Sequence, residues 1–130
     1  MAKRLGLFVF GMLLLFTSRL ACAQDMEDFK KMNPEENAKL ITDWMQSALA
    51  LEEDQVARTY AVNLKYAQKN RAIANSGDRK LRLLKKLKST SQEKDKELRA
   101  LFTQDQYRRY QEKKEEMKTR VKQKMQEKKR

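Results

Sequence analysis

Leu40, Ile41, Trp44, Met45 and Ala48 return at intervals of three and four residues, and that spacing predicts a first helix over 34–49. Its start is marked by Asn33-Pro34-Glu35-Glu36: an N-capping side chain, a proline suited to the first turn, and a glutamate three residues after the cap. Val56, Tyr60, Leu64 and Ala67 form the next stripe. The acids Glu52, Glu53 and Asp54 precede it, where the positive end of a helix dipole favours them, and predict a second helix reaching Ala74. Asn75-Ser76-Gly77-Asp78 is the clearest break, with Gly77 suited to a C-terminal cap and Asp78 to the following N-cap. Leu81, Leu84, Leu87, Leu98 and Leu101 carry a third helix. Ser89-Thr90-Ser91 is its weak point, because these side chains compete for backbone hydrogen bonds. Tyr107, Tyr110, Lys114, Met117, Val121 and Met125 mark a fourth.

The stretch LFTQDQ, Leu101 to Gln106, joins the last two helices. Thr103 and Gln106 have the spacing of a capping box, in which the hydroxyl accepts from the Gln106 amide and the glutamine side chain reaches back. Phe102 and Tyr107 flank it at the staple positions.

Composition agrees with an all-α fold. Among 130 residues there are 3 Gly and 1 Pro, too few for a chain of hairpins. Only 8% of the chain is aromatic, so the core is expected to be thin and elongated, and a chain this short and charged often gains burial by dimerising. The N-terminus reads differently. Lys3 and Arg4, the apolar run Leu7 to Phe16 and the small residues Ala21-Cys22-Ala23 have the order of a secretory signal peptide cleaved after Ala23. The run is short for a membrane span. The rival reading, lipidation of Cys22 as in a lipoprotein, meets Arg19 where an apolar residue is expected. The domain reading is therefore a signal peptide over 1–23, a flexible mature N-terminus over 24–33, a helical domain over 34–126 and a frayed basic tail over 127–130. Cleavage would leave no cysteine, hence no disulfide and no thiol chemistry.

Charge is divided along the chain. Residues 24–57 hold nine acids and three bases, a net of −6, whereas residues 65–88 hold nine bases and one acid, a net of +8. The basic stretch has a bland reading, a solvated face balanced by the acidic first helix. Nucleic-acid binding is disfavoured, because export removes the usual targets and no stacking aromatics accompany residues 77–88. A surface facing unfolded clients or anionic lipid remains, with Lys65, Lys69, Arg71, Arg79, Lys80, Arg82, Lys85 and Lys86 as contact residues. Catalysis has little to stand on: there is no histidine, no mature cysteine and, after residue 23, only Gly77 to build a phosphate loop. No cofactor is expected. Met26, Met32, Met45, Met117 and Met125 read as core filler before metal ligands, and Trp44 as core.

Leu51-Glu52-Glu53-Asp54-Gln55 and Phe102-Thr103-Gln104-Asp105-Gln106 look like two copies of one device, 51 residues apart. This is similar to the paired LTxxQ motifs of the Spy/CpxP family of small periplasmic stress proteins. The second copy has Phe for Leu, and the first lacks the threonine. The resemblance covers residues 34–125. It implies a periplasmic protein built as an elongated, bent helical hairpin of about four helices that pairs into a cradle-shaped, antiparallel homodimer. It also implies ATP-independent, chaperone-like holding of unfolded envelope proteins on a basic, partly apolar face. The alternative is a regulatory module that binds the sensor domain of an envelope stress kinase, and a third reading is a binder of anionic lipid surfaces. Leu51, Gln55, Phe102, Thr103 and Gln106 are expected to be structural, setting the helix turns.

Overall fold

Asn33 sets the first boundary: its Oδ1 accepts from the Glu36 amide at 3.1 Å, with Pro34 in the first turn behind it. The computed structural model of the chain describes residues 26–130, and among them every regular element is an α-helix. Helix α1 is Pro34–Leu49, α2 Glu53–Ala74, α3 Lys80–Leu101 and α4 Gln104–Lys128. A short helical segment at 26–31 precedes them. The readings of a signal peptide and of Cys22 fall on residues outside those described. The helix α1 stops at Ala50, which takes the left-handed conformation (φ 52°) and donates its amide to the Gln46 carbonyl. An alanine there bears a steric cost that glycine would not.

Three local expectations differ from the structure. Gly77 does have positive φ (77°), but α2 is capped by Asn75 and α3 begins behind Arg79. Asp78 caps nothing. Its carboxylate instead binds Lys86 at 2.5 Å and Arg82 at 3.5 Å, so the cations of α3 have drawn it away from the backbone. The weak point at Ser89-Thr90-Ser91 does not interrupt α3, because the buried Thr90 hydroxyl donates to the Lys86 carbonyl at 2.7 Å. Finally, residues 26–31, read as flexible, form a helix with Met26 and Met32 buried beside the main fold.

Helix α1 packs on both α2 and α4, and α2 packs on α3, whereas α3 and α4 touch over a short length. Cross-helix bonds fix the directions. Lys65 meets Glu97 and Lys69 meets Glu93, so α2 and α3 run oppositely. Asn37 meets Met125 and Glu36 meets Lys128, so α1 and α4 do too. The turns 50–52 and 102–103 therefore lie at one end of the molecule. The turn at Gly77, the start of α1 and the end of α4 lie at the other.

The main core sits toward the first end: Met45, Leu49, Leu51, Leu98, Phe102, Tyr110, Met117 and Val121, with Leu40, Ile41, Trp44, Ala48 and Leu101 packed around it half-buried. A smaller cluster, Met26, Ala74 and Leu83, lies at the second end. The stripes of α2 and α3 are rotated from the expected ones. In α2 the buried residues are Thr59, Asn63, Tyr66, Ala67 and Ala74. Two of these are polar, which hid the stripe from a hydrophobicity count. The Asn63 amide donates to the Thr42 hydroxyl at 2.9 Å, which donates in turn to the Ala38 carbonyl. In α3 the inward positions are Leu83, Thr90 and Leu98, and Leu81 and Leu84 point outward. The ring facing Phe102 is that of Tyr110, edge-on at 6.1 Å.

Candidate functional site

At the first end the two motif turns meet through their glutamines. Gln55 Oε1 accepts from the Glu52 amide at 3.0 Å, and Gln106 Oε1 accepts from the Thr103 amide at 2.9 Å, so each closes its own helix start. The Gln106 amide also donates to Thr103 Oγ1 at 3.2 Å. The two side-chain amides then bond to each other in both directions. Gln55 Nε2 donates to Gln106 Oε1 at 2.8 Å, and Gln106 Nε2 donates to Gln55 Oε1 at 3.0 Å. Their remaining hydrogens reach across: Gln55 to the Leu101 carbonyl at 3.1 Å, Gln106 to the Ala50 carbonyl at 3.4 Å. All four amide groups of the pair are thereby used, as a half-buried polar pair requires. Leu51 and Phe102, buried just before each cap, fix the same turns by packing. The five motif residues form one structural unit: a lock that ties the α1–α2 turn to the α3–α4 turn.

Next to the lock, Asp95 joins α3 to α4. Its Oδ1 accepts from the Tyr110 hydroxyl at 2.9 Å, and its Oδ2 pairs with Lys114 at 2.6 Å. Lys114 and Asp95 are only 18% and 19% exposed, which separates this pair from the screened surface pairs elsewhere. Burial, with Asp95 beside it, raises the Tyr110 phenol. Lys94 is pushed down to about 8, first by desolvation and then by Lys114 and Lys118, with Asp95 opposing. Further along, Glu97 accepts from Lys65 at 2.5 Å and from the Tyr66 hydroxyl at 2.6 Å, and these bonds hold its carboxyl below the usual range. Both groups bind helix to helix.

The eight expected contact residues are all exposed but do not form one free surface. Lys65 and Lys69 are engaged by Glu97 and Glu93 on α3, and Arg82 and Lys86 by Asp78. These exposed pairs link α2 to α3 and α3 to its connecting turn, and leave the four less free than the rest. Arg71, Arg79, Lys80 and Lys85 make no ion pair with a described residue, and they cluster at the Gly77 turn. Leu81 and Leu84 stand among them, 76% and 40% exposed, and they are the large apolar side chains that the described residues leave in solvent. Both leucines were expected on the apolar stripe that carries the third helix. The signal that separates them was present: Leu81, Leu83, Leu84 and Leu87 are too many for one helical face. The series Leu83, Leu87, Thr90, Leu98 gives a second stripe that passes through a threonine. The described residues contain no cluster of three or more His, Cys, Asp or Glu placed to hold a metal, and no helix among them is long and apolar enough to cross a membrane.

Comparison of the chain with protein-family profiles, with curated proteins and with solved structures finds no match.

Proposed function

We propose that this chain is a Spy/CpxP-like binding protein of the bacterial envelope that holds unfolded segments of other exported proteins without ATP and catalyses no reaction. The observation that carries the reading is the pairing of exposed Leu81 and Leu84 with the unpaired cations Arg71, Arg79, Lys80 and Lys85 at one end of an otherwise closed helical fold. Positive charge draws acidic unfolded chains from a distance, and the two leucines then offer them apolar contact. The family reading is supported by the lock. Two LTxxQ-like turns 51 residues apart in sequence pair through reciprocal glutamine bonds, so the motif has a physical use beyond capping a helix. On this reading the helices form a bent hairpin and two chains pair as an antiparallel homodimer, with a mass in light scattering of twice that of the chain.

The test is the light scattering of a chemically unfolded protein diluted into buffer with this chain, at low and high salt and without nucleotide. Suppression near equimolar ratio that weakens with salt supports both halves of the reading. Absence of suppression with several unrelated clients refutes it, and one stoichiometric partner captured from an envelope extract would then mark a regulatory module instead.

A further inference from the structure

We propose that the end of the molecule bearing the Gly77 turn is a bilayer-facing surface that docks on anionic lipid headgroups. Three observations meet there. The first is apolar: Leu81 and Leu84, three residues apart on one face of the first turns of α3, are the most exposed large apolar side chains among the described residues. They line neither of two shallow grooves found beside Pro34 and beside Tyr60. An exposed leucine pair outside those grooves offers a folded partner little to fit, whereas a bilayer interface takes such a pair at headgroup depth.

The second is electrostatic. From Gln55 to Gln92 the only acid is Asp78, and its carboxylate is held by Lys86 and Arg82. Arg79, Lys80, Lys85 and Lys88 flank the leucines on the same turns and make no ion pair with a described residue. The basic end of α4 comes to this end as well, where Lys128 pairs with Glu36 and Lys129 with Asp28. Long cationic side chains around a small apolar patch place their ammonium groups at phosphate level while the leucines go deeper.

The third is connectivity. Met26 is buried against Ala74 and Leu83, and the Lys30 carbonyl accepts from Asn75 at 3.5 Å, so the chain enters the fold at this end. Only Ala23, Gln24 and Asp25 separate Met26 from Cys22 in the sequence, and the apolar run to Phe16 lies shortly before. Any lipid or apolar anchor kept on that segment would hold the Gly77 end to the bilayer and leave the glutamine lock pointing away. Headgroups and unfolded clients would compete for this one patch, so the bilayer is its occupant where no client is present; the proposal does not depend on the client reading, because its test contains no client.

The test is co-sedimentation of protein isolated from cells expressing residues 1–130 with vesicles of phosphatidylcholine alone or mixed with phosphatidylglycerol, with the N-terminus read by intact mass. Binding to the anionic vesicles only is expected, falling roughly tenfold in Leu81→Ser/Leu84→Ser and at least as much in Lys80→Glu/Lys85→Glu. Lys96→Glu/Lys113→Glu, which makes the same change in net charge elsewhere, should bind nearly as the parent does. Helical circular dichroism checks that each variant folds, which the exposure of all six positions favours. No binding to anionic vesicles overturns the proposal. So does equal loss in the control variant, which would mean net charge alone, or undiminished binding of the tip variants in protein carrying an acyl mass on Cys22, which would mean the anchor alone.

Discussion

Removing the side chain of Gln106 deletes four hydrogen bonds at once: from the Thr103 amide, to and from Gln55, and to the Ala50 carbonyl. A net bond is worth about 1 kcal/mol, but the four are unequal. The Ala50 contact is long at 3.4 Å, and the exposed Thr103 amide finds water. The two amide–amide bonds are half-buried and leave Gln55 partly unsatisfied. The expected cost of Gln106→Ala is therefore about 2–3 kcal/mol. With an unfolding entropy of about 0.2 kcal/mol/K for a domain near 100 residues, Tm should fall by roughly 10 °C. Gln55→Ala should cost a similar amount, and the double variant about 1–2 kcal/mol less than the sum of the two, because the two amide–amide bonds are common to both. Gln106→Glu sharpens the test, because at neutral pH it sets a carboxylate against the Gln55 and Ala50 oxygens. Where that repulsion outweighs the Thr103 amide and the positive end of α4, its folded pKa lies above the unfolded value of about 4.3. Stability is then fully present below about pH 4.3 and lost as pH rises through the folded pKa. Thermal melts across pH, followed by circular dichroism, measure all of this. A fall under about 2 °C for either alanine variant, or strictly additive losses in the double, would refute the lock.

Three further outcomes follow from the same geometry. Asp95→Ala orphans the Tyr110 hydroxyl and the mostly buried Lys114, and should cost about 2 kcal/mol in denaturant unfolding; Glu93→Ala, in an exposed pair with Lys69, should cost well under about 1 kcal/mol. Lys94→Met should raise Tm at pH 7, because charging Lys94 is opposed by desolvation. The penalty is complete below about 8 and fades as pH rises toward the unfolded value of about 10.4, so the two melting curves should converge there. Ala50→Gly removes the strain of a left-handed alanine at some entropic cost in the unfolded chain, and should raise stability by up to about 1 kcal/mol, read from the urea midpoint.

The helices were legible because their boundaries are written in short-range chemistry. Asn33-Pro34 and Thr103-Gln106 are caps that act within one turn, and both form as their spacing predicts. The faces were less legible. Asn63 is buried with its amide nitrogen bonded across the α1–α2 interface to Thr42, and Thr59 is buried with its hydroxyl unpartnered, and a count of apolar residues registers neither. Leu81 and Leu84 share the letter of core residues, yet Leu83 and Leu87 take the inward face, and the difference is set by how α3 rolls on α2. The same holds for charge. Lys65 and Asp95 look alike with their neighbours in a list of ions, but long-range pairing with Glu97 and Lys114 assigns them to the scaffold. The mutual bonding of Gln55 and Gln106 needs both turns at one end of the molecule. Each motif alone predicts a cap, and only the fold brings the caps together.

The central claim is that unfolded chains are held where Leu81 and Leu84 stand among unpaired cations. Titrating the isotopically labelled chain with a permanently unfolded, reduced protein and following its amide resonances tests this most directly. The account predicts shifts and broadening centred on residues 79–88, weakened by salt, with residues 50–55 and 101–106 silent. Changes centred on the lock, or no change at saturating unfolded protein, would contradict it.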